Sequence, residues 1–158
     1  MSQRVNIRKA APAGYAAVVH LEKYLTTTRI APLHHELIRI RASQINGCTY
    51  CMDIHAKDAL ALGESSRRLF TLSNWRETDF FTEEEQVILA ATEEVTLIHK
   101  GLSDETYAGA ARVFDEEYIA QLIMAVIVIN AWNRIGEATN MKPALLAPVS
   151  VYGKKNLT

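Results

Sequence analysis

Cys48 and Cys51 are the only cysteines of the chain, and they form a single Cys-x-x-Cys. That spacing lets one sulfur reach the other. At the start of a helix the partial positive charge of the amide end lowers a thiol's pKa and raises the fraction of thiolate, which is the nucleophile. Asn46-Gly47, just before Cys48, supplies the helix-start context, with Cys51 one turn further in. His55 lies four residues beyond Cys51 and so shares its helical face. An imidazole placed there takes the thiol proton, and the resulting imidazolium holds the thiolate by charge. Glu36 stands twelve residues before Cys48, and an antiparallel helix pair turning at Asn46-Gly47 brings it alongside that face. A carboxylate directly beside a thiol opposes ionisation, so Glu36 is useful only through His55 or a water. The expected order is carboxylate, imidazole, thiol. Tyr50, between the cysteines, has two readings: a hydrogen-bond donor to a bound oxygen, or a packing residue.

The cysteine pair also has plainer readings, as half of a zinc site or as two inert buried thiols. A structural zinc site usually takes four ligands, commonly two Cys-x-x-Cys or Cys/His pairs; only histidines remain to complete one here, and none forms a second knuckle. His34 and His35 read as surface or interface residues and Glu93-Glu94 as a solvated face. Glu83-Glu84-Glu85 reads as first-turn carboxylates complementing a helix dipole, and His99 near a helix end has the same kind of explanation. Trp75 and Trp132 read as core or interface anchors.

The elements that must hold these residues are helices. The chain has 158 residues, enough for one domain to bury a core without disulfide staples. Its seven glycines and four prolines are few, which argues for few turns and against an all-β fold. Six or seven helices are expected. Pro12 opens one running to about Leu25, and Pro32 or Leu33 opens a second that ends before Asn46-Gly47. A third covers about Cys48 to Leu62, with Gly63 as a left-handed terminator, and a fourth about Ser65 to Leu72. Thr82 and Glu85 form a capping box for a fifth, expected to run to Lys100 and stop at Gly101. Ser103 caps a sixth. The last begins after Asp115 and is apolar almost all round from Leu122 to Ile129, so it is either the central helix of the monomer or partly buried between subunits. A single domain spanning 1–158 is expected, with an irregular tail from about Lys142.

With 17 Lys and Arg against 18 Asp and Glu, the net charge of −1 gives no long-range attraction to nucleic acid or an anionic membrane. The apolar run from Ala10 to Val19 follows Arg4, Arg8 and Lys9, but lacks a small-residue cleavage site and continues into His20, Glu22 and Lys23; it is not read as a signal peptide. The apolar span around Leu122 to Ile129 is expected to be too short and too polar to cross a bilayer. A cytoplasmic protein, free of membrane and nucleic acid, is the expectation, with thiols kept free by reducing conditions unless they do redox chemistry.

The stretch from Glu36 to His55 resembles the core of the carboxymuconolactone decarboxylase superfamily, specifically its AhpD-like alkylhydroperoxidase branch. It carries Glu, eleven residues, Cys-x-x-Cys, three residues and His, with Ser43-Gln44-Ile45-Asn46-Gly47 before the cysteines. Asn130-Ala131-Trp132-Asn133-Arg134 resembles the last long helix of such proteins. The resemblance implies an all-α domain assembling as a homo-oligomer, a trimer or hexamer foremost. It implies that Cys51 attacks the peroxide, that Cys48 resolves the sulfenic acid into a disulfide, and that His55 and Glu36 relay protons. Well-studied peroxidase members carry a second histidine between the cysteines, where this chain has Tyr50. Decarboxylase members generally lack the cysteine pair.

The resulting expectation is a thiol-dependent peroxidase acting on a small hydroperoxide. No metal, flavin or nucleotide motif is evident, neither Gly-x-Gly-x-x-Gly nor a phosphate loop. Electrons would come from a dithiol or from a lipoyl-bearing or thioredoxin-like protein. Two alternatives stay open: an acid/base enzyme using Glu36 and His55 on a small lactone or acid, and a redox-sensing oligomer without turnover.

Overall fold

The computed structural model of the chain describes residues 4–144, which hold eight α-helices, two 3-10 segments and no strand. The helices are α1 (Ile7–Ala10), α2 (Pro12–Leu25), α3 (Pro32–Asn46), α4 (Thr49–Ala61), α5 (Ser66–Thr71), α6 (Glu83–Thr96), α7 (Asp104–Val113) and α8 (Glu116–Thr139). The 3-10 segments are Leu72–Glu77 and Ile98–Lys100. The all-α expectation holds, with the single turn of α1 added. Most of the expected tail lies outside the described residues.

Local chemistry explains most of the boundaries. Proline stands at the first position of both α2 and α3, where its missing N–H costs nothing. Thr82 and Glu85 make the reciprocal capping box of α6. Ser103 and Asp115 accept from the third residues of α7 and α8. The fifth helix was expected to reach Lys100, but α6 ends at Thr96 and a 3-10 turn follows. The Thr96 hydroxyl there accepts from Asn130 on α8 at 3.1 Å, which ties the end of α6 across the fold.

Helix α3 packs against α4, α6 and α8. Its two faces enter different apolar clusters. Ile38 and Ala42 join Leu122, Val126 and Ile129 of α8 and Ile88 of α6. Leu37 and Ile40 join Leu72, Trp75, Phe81 and Leu89. Each such fully buried aliphatic side chain contributes about 1.5–3 kcal/mol relative to exposure. Helix α8 is longer than the apolar run alone suggested, and by length and composition it could cross a membrane. Tyr118, Leu122, Val126, Val128 and Ile129 are instead buried among the other helices, as the central helix of a helical domain.

Two surface readings are corrected. His35 is buried, not superficial; its Nε2 lies 3.2 Å from the Thr28 hydroxyl, while the partly buried His34 meets the Tyr118 hydroxyl at 3.1 Å. Burial and the nearby Arg39 cation push the His35 pKa down to about 4. Glu93 is not a solvated face either. It accepts from Arg41 at 2.8 Å, Trp75 at 2.9 Å and Arg76 at 2.5 Å. Those three donors, two of them cations, arrive from other elements, so the Glu-Glu pattern by itself carried no sign of them.

Candidate active site

The turn between α3 and α4 sets the cysteines. Gly47 ends α3 with φ of 71°, a left-handed value natural to glycine, and the Cys48 N–H reaches back to the Ser43 carbonyl at 3.0 Å. The chain then re-enters a helix at once. Cys48 is the N-cap of α4 and its Sγ accepts from the Cys51 N–H at 3.4 Å. The two cysteines therefore sit at a helix start as expected, paired as a disulfide with Cα atoms 5.3 Å apart.

Helix α8 forms the wall behind them. A polar lattice fixes its register: Asn46 donates to Asn130 at 3.0 Å and to Asn133 at 2.9 Å, and the buried Asn133 donates to Ser43 at 2.9 Å. That register puts Gly136 against the sulfurs. A Cβ at Gly136 would lie 3.0 Å from Cys48 Sγ and 3.7 Å from Cys51 Sγ. Cys48 is fully enclosed and Cys51 nearly so, yet Cys51 lines a cavity of about 270 Å³ together with His55, Tyr50, Tyr15, Glu22 and Trp132.

The antiparallel return of α3 brings Glu36 to His55, with Glu36 Oε2 and His55 Nδ1 2.9 Å apart. With Nδ1–H donating to this carboxylate, the neutral ring carries its lone pair on Nε2, the atom free to take a proton. The other Glu36 oxygen accepts from Arg39 at 2.5 Å. Burial alone would raise the Glu36 carboxyl, but the hydrogen bond from His55 and the Arg39 guanidinium outweigh it and hold it below its ordinary value.

The four residues singled out by spacing thus share one locality. Spacing did not single out the rest of the network. Arg39 also pairs with Glu22 of α2, whose second oxygen accepts from the Trp132 indole N–H at 3.0 Å. Trp132, read as an anchor, also forms part of the cavity wall, edge-on to Tyr15 with centroids 5.4 Å apart. The Glu36-to-Arg39 step, three residues apart on a helix, was a usable signal; nothing in the sequence pointed to Glu22 or Gly136. Glu36, His55 and exposed Asp58 offer ligand atoms within 4.8 Å of one another. Both Glu36 oxygens are already hydrogen-bonded, so a cation there would have to displace the imidazole or the guanidinium.

Residues 12–94 match the carboxymuconolactone decarboxylase family, and the chain belongs to it. The protein YdfG of Bacillus subtilis is 40% identical over 91% of this chain and 99% of its own length. The crystal structure of ATU0492 from Agrobacterium tumefaciens, suggested to be an antioxidant defence protein AhpD, superposes with a TM-score of 0.88. It is 32% identical and covers 92% of this chain and 100% of its own, so the fold is AhpD-like. The debrominase Bmp8 shares the fold at a TM-score of 0.75 and 20% identity, over 84% of this chain and 72% of its own.

Proposed function

We propose that the protein is a cysteine-based peroxidase that reduces small hydroperoxides and is recycled by a dithiol. One observation carries the reading: a cysteine paired with its only partner opens, beside a carboxylate-tethered imidazole, onto a cavity large enough for a small organic molecule. Cys51, the sulfur that lines the cavity, is the attacking thiolate. It displaces ROH from ROOH, forming the S–O bond as the O–O bond breaks, and the departing alkoxide takes a proton relayed through His55 and Glu36. The Cys48 thiol then displaces water from the Cys51 sulfenic acid, closing the disulfide. An external dithiol reopens it by exchange and leaves as its own disulfide. The two electrons that reduce the peroxide thus come from the reductant, a small dithiol or a lipoyl- or thioredoxin-like protein.

The same reading places the protein in the cytoplasm as a homo-oligomer, with no cofactor. Exposed Ile98 and Ile127, which flank one apolar groove, support association.

The test is hydroperoxide consumption with dithiothreitol. Wild-type protein turns over, Cys51→Ser loses turnover by at least about a hundredfold, and reduced Cys48→Ser, freed of dithiothreitol, consumes one equivalent of hydroperoxide and accumulates a Cys51 sulfenic acid seen by mass. Absence of turnover, with thiols that never interconvert with the disulfide, overturns the proposal. Retention of activity on a small lactone by Cys51→Ser would assign Glu36 and His55 to acid/base chemistry instead.

A further inference from the structure

The cavity before Cys51 is apolar over most of its wall and carries charge at one place. Tyr15, Tyr50, Ile54, Trp132, Ile135 and Met141 supply rings and aliphatic surface, and Glu22 supplies a carboxylate. The nearest guanidinium, Arg39, is not part of the wall; it is held between Glu22 and Glu36. Glu22 and Glu36 share that one guanidinium, so the charge presented at the cavity wall is the negative one of Glu22. Apolar walls screen that charge less than water would, so it is felt by whatever enters. At about 270 Å³ the space falls just below the common range for ligand sites, about 300–1,000 Å³.

We propose, resting on the peroxidase reading above, that the substrate is a compact uncharged hydroperoxide with a single ring or a short branched chain, and that Glu22 sets this choice by turning away carboxylate-bearing hydroperoxides. The rings of Tyr15 and Trp132, edge-on to one another, form the apolar surface for such a group. Glu22 is suited to the task because it is fixed at both oxygens, by Arg39 and by the Trp132 indole, with its side chain about a third exposed. It cannot swing away from an incoming anion without breaking those bonds.

The experiment compares cumene hydroperoxide with its ring-carboxylated analogue, both with dithiothreitol as reductant, on wild-type protein and on Glu22→Gln. The amide keeps an acceptor for the indole and removes the charge. Wild-type kcat/KM favours the neutral substrate by about tenfold or more, and Glu22→Gln shrinks that preference severalfold, whatever loss the two substrates share. Equal kcat/KM on wild-type protein, or a preference unchanged in Glu22→Gln, overturns the proposal. Binding of the two product alcohols, followed by tryptophan fluorescence, tests charge selection without turnover. Tighter binding of neutral cumyl alcohol supports it, and equal binding or preference for the carboxylated alcohol overturns it. If the alcohols are discriminated but neither hydroperoxide is consumed, it is the peroxidase reading that fails, and the inferred identity of the substrate as a hydroperoxide falls with it.

Discussion

Arg39 has a carboxylate on either side, Glu36 toward the cysteines and Glu22 toward α2. Its side chain is 18% exposed and that of Glu36 only 6%, so the pair is largely out of water. Removing the cation would leave Glu36 buried with one partner fewer. The carboxyl, now held below its ordinary value by His55 and Arg39 against the opposing effect of burial, would then rise. Because the folded value is depressed, the stability it confers is present above the ordinary carboxylate value and is lost as pH falls through the folded one. Arg39→Gln is expected to raise that lower limit, to move the acid limb of kcat/KM for hydroperoxide to higher pH, and to cost about 2 kcal/mol of stability. An unmoved acid limb in a folded variant would show that Arg39 does not poise the relay. Glu36 was legible from sequence because one turn at Asn46-Gly47 fixes where α3 returns. Glu22 was not, because its meeting with Arg39 and Trp132 depends on how α2 and α8 pack.

At the scale of elements, the hairpin of α3 and α4 and the backing helix α8 divide the work. The hairpin presents the thiols and the relay; α8 closes the rear. Gly136 is where backbone replaces side chain, with the Cys48 sulfur 3.0 Å from any Cβ placed there. Cys48 has no exposed surface and is tied to Cys51, so an added methyl must be met by a shift of the sulfur or of α8. Gly136→Ala is therefore expected to destabilise the oxidised protein by about 1–2 kcal/mol through overpacking, despite the gain in helix propensity of up to about 1 kcal/mol. Gly14, in α2, has nothing within 4 Å of an added Cβ. Gly14→Ala should stabilise by about 0.5 kcal/mol. Urea denaturation of the two variants checks the contrast, and equal shifts would mean that α8 does not press on the disulfide as described. Proline and glycine punctuation, together with side-chain caps, made these helices readable. Their mutual approach was not, since a glycine near the end of an apolar helix looks the same whether it faces solvent or sulfur.

Across the whole molecule, what could be read in advance was what one helix or one hairpin decides: the all-α class, the helix starts at Pro12, Pro32 and Thr82, and the convergence of Glu36, Cys51 and His55. What required the assembled fold was contact between distant elements, such as Glu22 with Trp132 or Glu93 with Arg41 and Trp75. Of the two sulfurs, only that of Cys51 lines the front cavity, with Cys48 sealed behind it. Under the peroxidase reading, oxidant and reductant therefore use the same doorway and cannot occupy it together. Turnover should alternate strictly between them, giving parallel double-reciprocal plots and self-defeating excess of either partner; intersecting plots would point to a second entrance. Under the same reading, a protein that delivers electrons must bring its dithiol to Cys51, the sulfur facing the cavity, and Cys48 is reached only through the disulfide it shares.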